Sequence, residues 1–211
     1  YDLLLFTMVK RPSMLGVGAT EATMLVDSTR VINWQMTGLL LGGILWGVLA
    51  DKKGRLSVLF GSIILYSIAN FATGFVQTVN QYAACRFVGG LGLAGELGAG
   101  ITLVSELLPK NKRGVGTSLV AGIGLFGAVA AYFTYQYTQD WRLCYKIGGV
   151  LGICLLLLRV KVAESGMFAT AKASEVVKGN FFMLLNNGKR FKKYFVAILI
   201  GLPTWYVIGI L

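Results

Sequence analysis

Residues 31–55 read VINWQMTGLLLGGILWGVLADKKGR. The first twenty positions carry no charge, whereas four of the last five do. About 20 predominantly apolar residues in a helix cross the hydrocarbon core of a bilayer. Basic residues directly after such a run hold that end on one side of the membrane. Nothing in the run alternates polar and apolar positions as a barrel strand would. The stretch reads as a membrane-spanning helix that ends in a short charged turn.

The same pattern recurs outward from it. Residues 56–85 are uncharged, with Gln77, Thr78, Asn80 and Gln81 marking a polar turn inside them. An apolar stretch follows to about 104, interrupted by Arg86 and Glu96. Residues 114–139 are uncharged, 143–158 are apolar apart from Lys146, and 194–211 are apolar. Residues 1–9 hold another apolar run, Leu3, Leu4, Leu5 and Phe6. The expected fold is all-α: a polytopic transmembrane helix bundle with five complete spans flanked by two truncated ones. A fragment cut through a hydrophobic helix at each end is expected.

Composition agrees. The 211 residues are 55% hydrophobic and 14% charged, with mean hydropathy +0.69, where soluble domains average about 25% charged. The net charge of +11, from 20 Lys+Arg against 9 Asp+Glu, would suit nucleic acid only on a water-exposed basic face. Its placement argues for topology instead. Fourteen basic residues fall at 52–55, 110–113 and 159–193, and five on the opposite side, at Lys10, Arg11, Arg30, Arg142 and Lys146. The positive-inside rule puts the first group in the cytoplasm, so loops 51–55, 105–113 and 159–193 are expected there, with the chain in a plasma or inner membrane. No nucleic-acid partner is expected.

The absence of His excludes His-based triads, metal ligands and proton relays. Cys85, Cys144 and Cys154 form no CxxC pair and read as small buried hydrophobes. No metal or cofactor is expected, and no phosphate-binding loop is present. Tyr132, Tyr135, Tyr137 and Trp141 fall where an outer aromatic belt belongs. Gly38, Gly42, Gly43 and Gly47, then Gly89, Gly90, Gly92, Gly95, Gly98 and Gly100, have the spacing that lets helix backbones approach closely. The segment 159–193 is polar and basic, and reads as a cytoplasmic linker with room for a short surface helix at 168–178.

In Gly47-Val48-Leu49-Ala50-Asp51-Lys52-Lys53-Gly54-Arg55 an acid caps the helix end, two glycines permit a tight turn and Arg55 opens the next helix. This resembles the signature loop of the major facilitator superfamily, G-x-L-A-D-[RK]-x-G-R. Residues 86–96, RFVGGLGLAGE, resemble the superfamily's fourth-helix pattern R-F-x-x-G-x-G-x-G-G-E, with Ala94 at one glycine position. Glu106-Leu107-Leu108-Pro109 with Arg113-Gly114 is similar to its E-x-x-P…R-G loop. Ala163-Glu164-Ser165-Gly166-Met167-Phe168 resembles a weakened P-E-S-P motif without the prolines. Tyr1-Asp2-Leu3 is similar to the first-helix Y-D-L of metabolite, sugar and aromatic-acid proton symporters.

The resemblance implies two six-helix halves, alternating access, and a substrate site between the halves at mid-membrane. On it, 1–158 is the N-terminal half with a truncated first helix, 159–193 the central loop, and 194–211 the start of the C-terminal half. Drug–proton antiporters carry G-P-x-x-G-G in helix five. Gly122-Ile123-Gly124-Leu125-Phe126-Gly127 has no proline, which favours a symporter. Gly47, Asp51, Gly54, Arg55, Glu106 and Arg113 match the positions of the family's inner gate, a charge network that holds it shut in the outward-open state.

Three ionisable residues fall inside spans: Asp2, Arg86 and Glu96. Each costs several kcal/mol to insert, about 2.5–3.5 for a central Arg or Asp, and so needs a partner or a wet cavity. Arg86 and Glu96 lie about 15 Å apart along a helix and some 80° around it, so they cannot pair directly. Glu96, among Gly, Ala and Leu, suits a carrier of the coupling proton. Arg86 suits an anionic substrate group or a switch held by an acid, and Asp2 could line the cavity. Trp205 and Tyr206 are expected in belt or core packing, with the cavity as the alternative. The expected function is proton-coupled symport of a small organic solute, an anionic metabolite or a sugar, by a monomer in the lipid bilayer. Alternatives are a non-transporting sensor of the same fold, and a facilitator or antiporter. A membrane enzyme is disfavoured, because without His few acid–base groups remain.

Overall fold

The computed structural model describes residues 1–159, 181 and 185–210, leaving aside the side chains of Leu3, Arg159 and residues 202–210. Among the described residues there are seven α-helices: α1 (Asp2–Gly16), α2 (Met24–Lys53), α3 (Arg55–Thr73), α4 (Val79–Leu107), α5 (Arg113–Thr138), α6 (Trp141–Arg159) and α7 (Gly188–Ile210). No strand occurs among the described residues. Among the described residues five helices, α2 to α6, are long and apolar enough to cross a membrane.

The helices outrun the apolar windows that foretell them. At 30 residues α2 extends about 45 Å, against a hydrocarbon core of about 30 Å. It begins at Met24, ahead of the uncharged run, and carries Asp27 and Arg30 in its first two turns. Hydropathy marks where lipid begins, whereas hydrogen bonding marks where the helix does. Likewise α1 continues through Lys10, Arg11 and Pro12 to Gly16.

Local chemistry sets the turns. A single residue, Gly54, separates α2 from α3, with φ 100° and ψ 157°. Side chains rarely tolerate that backbone, so the motif needs glycine there. Between α3 and α4, Thr78 Oγ1 accepts a hydrogen bond from Gln81 N (3.3 Å). Gln81 Oε1 in turn accepts from Gln77 N (3.0 Å). These are the polar residues that marked a turn in the sequence. Gln139, in the left-handed region, closes α5, and Asp140 Oδ1 accepts from Arg142 N (2.8 Å) to open α6.

Within the bundle formed by α1 to α6, α4 is packed between α2 and α3. A Cβ added at Gly42 would meet Leu91 O at 2.5 Å, and one at Gly38 or Gly90 would strike backbone of the opposing helix. Glycine thus allows main chain to touch main chain where α2 crosses α4. Trp46 Nε1 donates to Leu91 O (2.7 Å) across the same contact. α3 also packs on α6, and α1 on α5 and α6.

The bundle is apolar outside as well as in its core, and it encloses several polar side chains. Ser28, Gln35, Ser62, Ser67, Asn70, Thr73 and Arg86 are buried, while Leu40, Ile68, Phe126 and Leu158 are exposed. Lipid makes that arrangement favourable, because the outer surface then meets hydrocarbon. Trp141, expected in an aromatic belt, is instead buried at 7% exposure and stacks on Tyr82 at 5.8 Å. The cysteines are free, and only Cys144 is buried: Cys85 is half-buried and Cys154 exposed.

α7 belongs to a separate unit, 177–211. Asn187 starts it: its Oδ1 accepts from Lys189 N (3.0 Å) and its carbonyl from Phe191 N (2.9 Å). The helix therefore begins six residues before the apolar run at 194. The expected surface helix at 168–178, the motif at 163–168 and the side chains of Trp205 and Tyr206 lie outside the described residues.

Candidate functional site

Arg86 is 2% exposed in the middle of the bundle. The glycine-rich face of α4 brings α2 and α3 close enough to enclose it. Its Nε donates to Gln35 Oε1 of α2 (3.2 Å) and its NH1 to Asn70 Oδ1 of α3 (3.1 Å). Its NH2 donates to the backbone oxygen of Asp2 in α1 (3.3 Å). The guanidinium also sits 5.3 Å from the centroid of the Tyr145 ring of α6, within cation–π range. Tyr145 is fixed by a 2.8 Å hydrogen bond between its hydroxyl and that of Tyr82. Five helices therefore converge on one buried cation.

The Asp2 carboxyl lies beside this cluster, within electrostatic range of both Arg86 and Glu96. Its Oδ1 is buried and has no hydrogen-bond partner. Gly148 on α6 makes room for that oxygen, since a Cβ there would approach it to 2.5 Å. No carboxylate among the described residues forms an ion pair with Arg86. Glu96 is half-buried, ten positions further along α4. The structure thus places Asp2 beside Arg86, and Glu96 within electrostatic range of Asp2. Sequence reading missed Gln35, Asn70 and Tyr145. The available signal was weak: amides inside two long uncharged runs, Asn33 and Gln35 in the first and Asn70 in the apolar part of the second.

The second cluster occupies the end of the bundle where α2 turns into α3. Arg55 NH1 meets Asp51 Oδ1 at 2.7 Å and Arg55 NH2 meets Glu106 Oε1 at 3.3 Å. One guanidinium thereby ties the end of α2 and the start of α3 to the end of α4. The Arg55 and Glu106 side chains are 17% and 15% exposed, and that of Asp51 is 50% exposed. Gly54 places Arg55 through its positive φ. Arg113 Nε donates to Leu108 O (3.1 Å), which closes the α4–α5 loop. Gly47, expected to help form the turn, lies inside α2, so Gly54 alone makes it; Gly47 is exposed, and an added Cβ there would meet nothing within 4 Å. Among the described residues no group of His, Cys, Asp or Glu could hold a metal ion.

The model of the Major Facilitator Superfamily matches residues 11–211. The chain belongs to the major facilitator superfamily. It is thus an integral, multi-pass membrane protein. Among its superfamily relatives, it is 34% identical over 143 residues to the niacin transporter NiaP of Acinetobacter baylyi, covering 66% of this chain and 32% of that protein. It is 31% identical over 128 residues to the sialic acid transporter NanX of Escherichia coli, covering 59% and 32%. The chain spans about a third of the length of these curated relatives. Of solved major facilitator structures, the proton:xylose symporter XylE bound to 6-bromo-6-deoxy-D-glucose superposes with a TM-score of 0.64 at 17% identity. That match covers 82% of this chain and 43% of the symporter chain.

Proposed function

We propose that this chain supplies the N-terminal half of a secondary transporter that carries a small organic solute together with a proton by alternating access. The observation that carries this reading is Arg86: a buried cation satisfied by neutral groups, with a carboxyl beside it. Such a centre has no value for stability that an apolar core would not exceed. Ionisable groups at membrane depth mark substrate and proton paths instead.

The cation favours a carboxylate as solute. Niacin and sialic acid, named for the two relatives, are both carboxylic acids, whereas the structural neighbour takes a neutral sugar. Asp2 and Glu96 are the acids we assign to the proton. Asp51, Arg55 and Glu106, with Arg113, the helix glycine Gly47 and the turn glycine Gly54, form the cytoplasmic gate, whose ion pairs close one end and release in each cycle. The half-exposed Asp51 makes its pair with Arg55 a weak one, about 0–1 kcal/mol, which suits a bond that must break at every turnover, while Glu106 holds Arg55 from a more enclosed position. The loops at 51–55, 105–113 and 159–193 face the cytoplasm, 159–193 links the two halves, and the transporter works as a monomer. It transforms no substrate chemically and needs no cofactor.

The test is uptake by the full-length protein in proteoliposomes, using radiolabelled niacin, sialic acid and xylose with and without an imposed proton gradient. Accumulation of a carboxylate above equilibrium only with the gradient is expected. Equal uptake in both conditions would overturn the proton coupling, and xylose uptake alone would overturn the anion assignment.

A further inference from the structure

Arg86 is held through neutral groups, with no carboxylate among the described residues in ion-pair contact with it. Each of the three guanidinium nitrogens donates to a neutral oxygen: the Gln35 amide, the Asn70 amide and the Asp2 main-chain carbonyl. The Tyr145 ring adds a neutral face. Gln35 and Asn70 are each 2% exposed, so water does not compete for these bonds. The nearby Asp2 carboxyl, the natural partner for a guanidinium, leaves a buried oxygen with no bond at all. Asn70 holds Arg86 through its side-chain carbonyl, which accepts from NH1 at 3.1 Å.

We infer that Gln35 and Asn70 are positioning residues, a neutral amide clamp that keeps the Arg86 guanidinium off the Asp2 carboxyl and so leaves its positive charge available to a ligand. The inference deepens the proposed function and rests on Arg86 being the anion-binding group. Two alternatives are weaker. A carboxylate at either clamp position would hold Arg86 as firmly but would neutralise it. An apolar residue there would leave a buried donor unsatisfied, and the guanidinium would turn to the remaining acid. Only an uncharged acceptor both fixes the side chain and preserves its charge.

The test is a thermal double-mutant cycle on the purified full-length protein, which requires no ligand. Asp2→Asn alone should leave the melting temperature within about 1 °C, because the carboxyl is not paired in the clamped arrangement. Gln35→Met, close to Gln in size but without an acceptor, should free the guanidinium to reach Asp2. In that background Asp2→Asn should lower the melting temperature by about 3 °C or more. Asn70→Leu gives a second route to the same coupling should Gln35→Met not fold. A purely structural role predicts additivity, so equal effects of Asp2→Asn in all backgrounds would overturn the clamp.

Gln35→Glu separates holding from neutralising. It preserves every bond, so its melting temperature should equal or exceed the parent's, while uptake of radiolabelled niacin should fall at least about 10-fold. Unchanged niacin uptake in Gln35→Glu would overturn the claim that the charge must stay available. Failure of the parent protein to carry niacin would count against the transport reading, while the thermal cycle would still decide the clamp.

Discussion

Two arginines organise this bundle in opposite ways. Arg55, at the α2–α3 turn, binds two carboxylates, the half-exposed Asp51 and the more enclosed Glu106. Arg86, in the interior, binds three neutral oxygens and no carboxylate among the described residues. Near water an ion pair gains little and is readily exchanged. In the interior the same pair would be strong and slow to open, because low dielectric magnifies the attraction. The contrast suggests a division of labour: Arg55 makes bonds that come and go, while Arg86 keeps a charge in reserve.

The sharpest way to break this contrast is to remove each cation in turn. Arg86→Met should abolish solute transport, at least about 100-fold, and also lower thermal stability, since Gln35 and Asn70 would be left buried without their donor. Arg55→Met should leave solute affinity near normal. If both variants lost affinity equally, the division of labour would fail. Uptake rates and solute binding measured on the same preparations provide the check.

Glu96→Gln comes next in size. Gradient-driven accumulation should be lost while solute exchange at equal concentrations persists, because the proton is no longer carried but the anion site remains. Gradient-driven uptake at the parental level would remove Glu96 from the coupling path. At the turn, Asp51→Asn should slow turnover about 10-fold or less with Kd for solute unchanged, since one of the two partners of Arg55 remains. Normal turnover would show that the charged turn is not a gate.

The smallest effect is expected at Gly47. Its position faces open space within this bundle, and replacing a helix-interior glycine by alanine removes about 0.5–1 kcal/mol of propensity cost. Gly47→Ala should therefore leave melting unchanged or raise it slightly. A transport defect alongside that result would locate a close helix contact at Gly47 that forms only during the cycle. Gly42 sharpens the point by contrast: Leu91 O lies against it, so Gly42→Val should prevent folding of the bundle.

Much of this was legible in the sequence. The uncharged runs located α2 to α6, and Gly54 and Arg55 announced the turn that the backbone bears out with its positive φ. The helix ends were less visible, because α2 continues through Asp27 and Arg30, and α1 through Pro12, beyond the apolar window. Trp141 was misplaced because hydropathy cannot separate a ring that faces lipid from one stacked on Tyr82. Gln35 and Asn70 were missed for a related reason. A search for charge passes over uncharged amides, yet a buried arginine selects its partners by oxygen atoms and not by formal charge. Which of several polar residues meets Arg86 depends on helix rotation and crossing, and those follow from the glycine contacts between α2, α3 and α4.

The central claim is that solute and proton cross together through the Arg86 centre. The most direct test loads proteoliposomes of the full-length protein with a pH-sensitive dye and adds niacin outside, with no gradient imposed. The account predicts that the lumen acidifies as niacin enters the parent protein, and that Arg86→Met abolishes both movements. Niacin entry without acidification, or acidification undiminished in Arg86→Met, would contradict it.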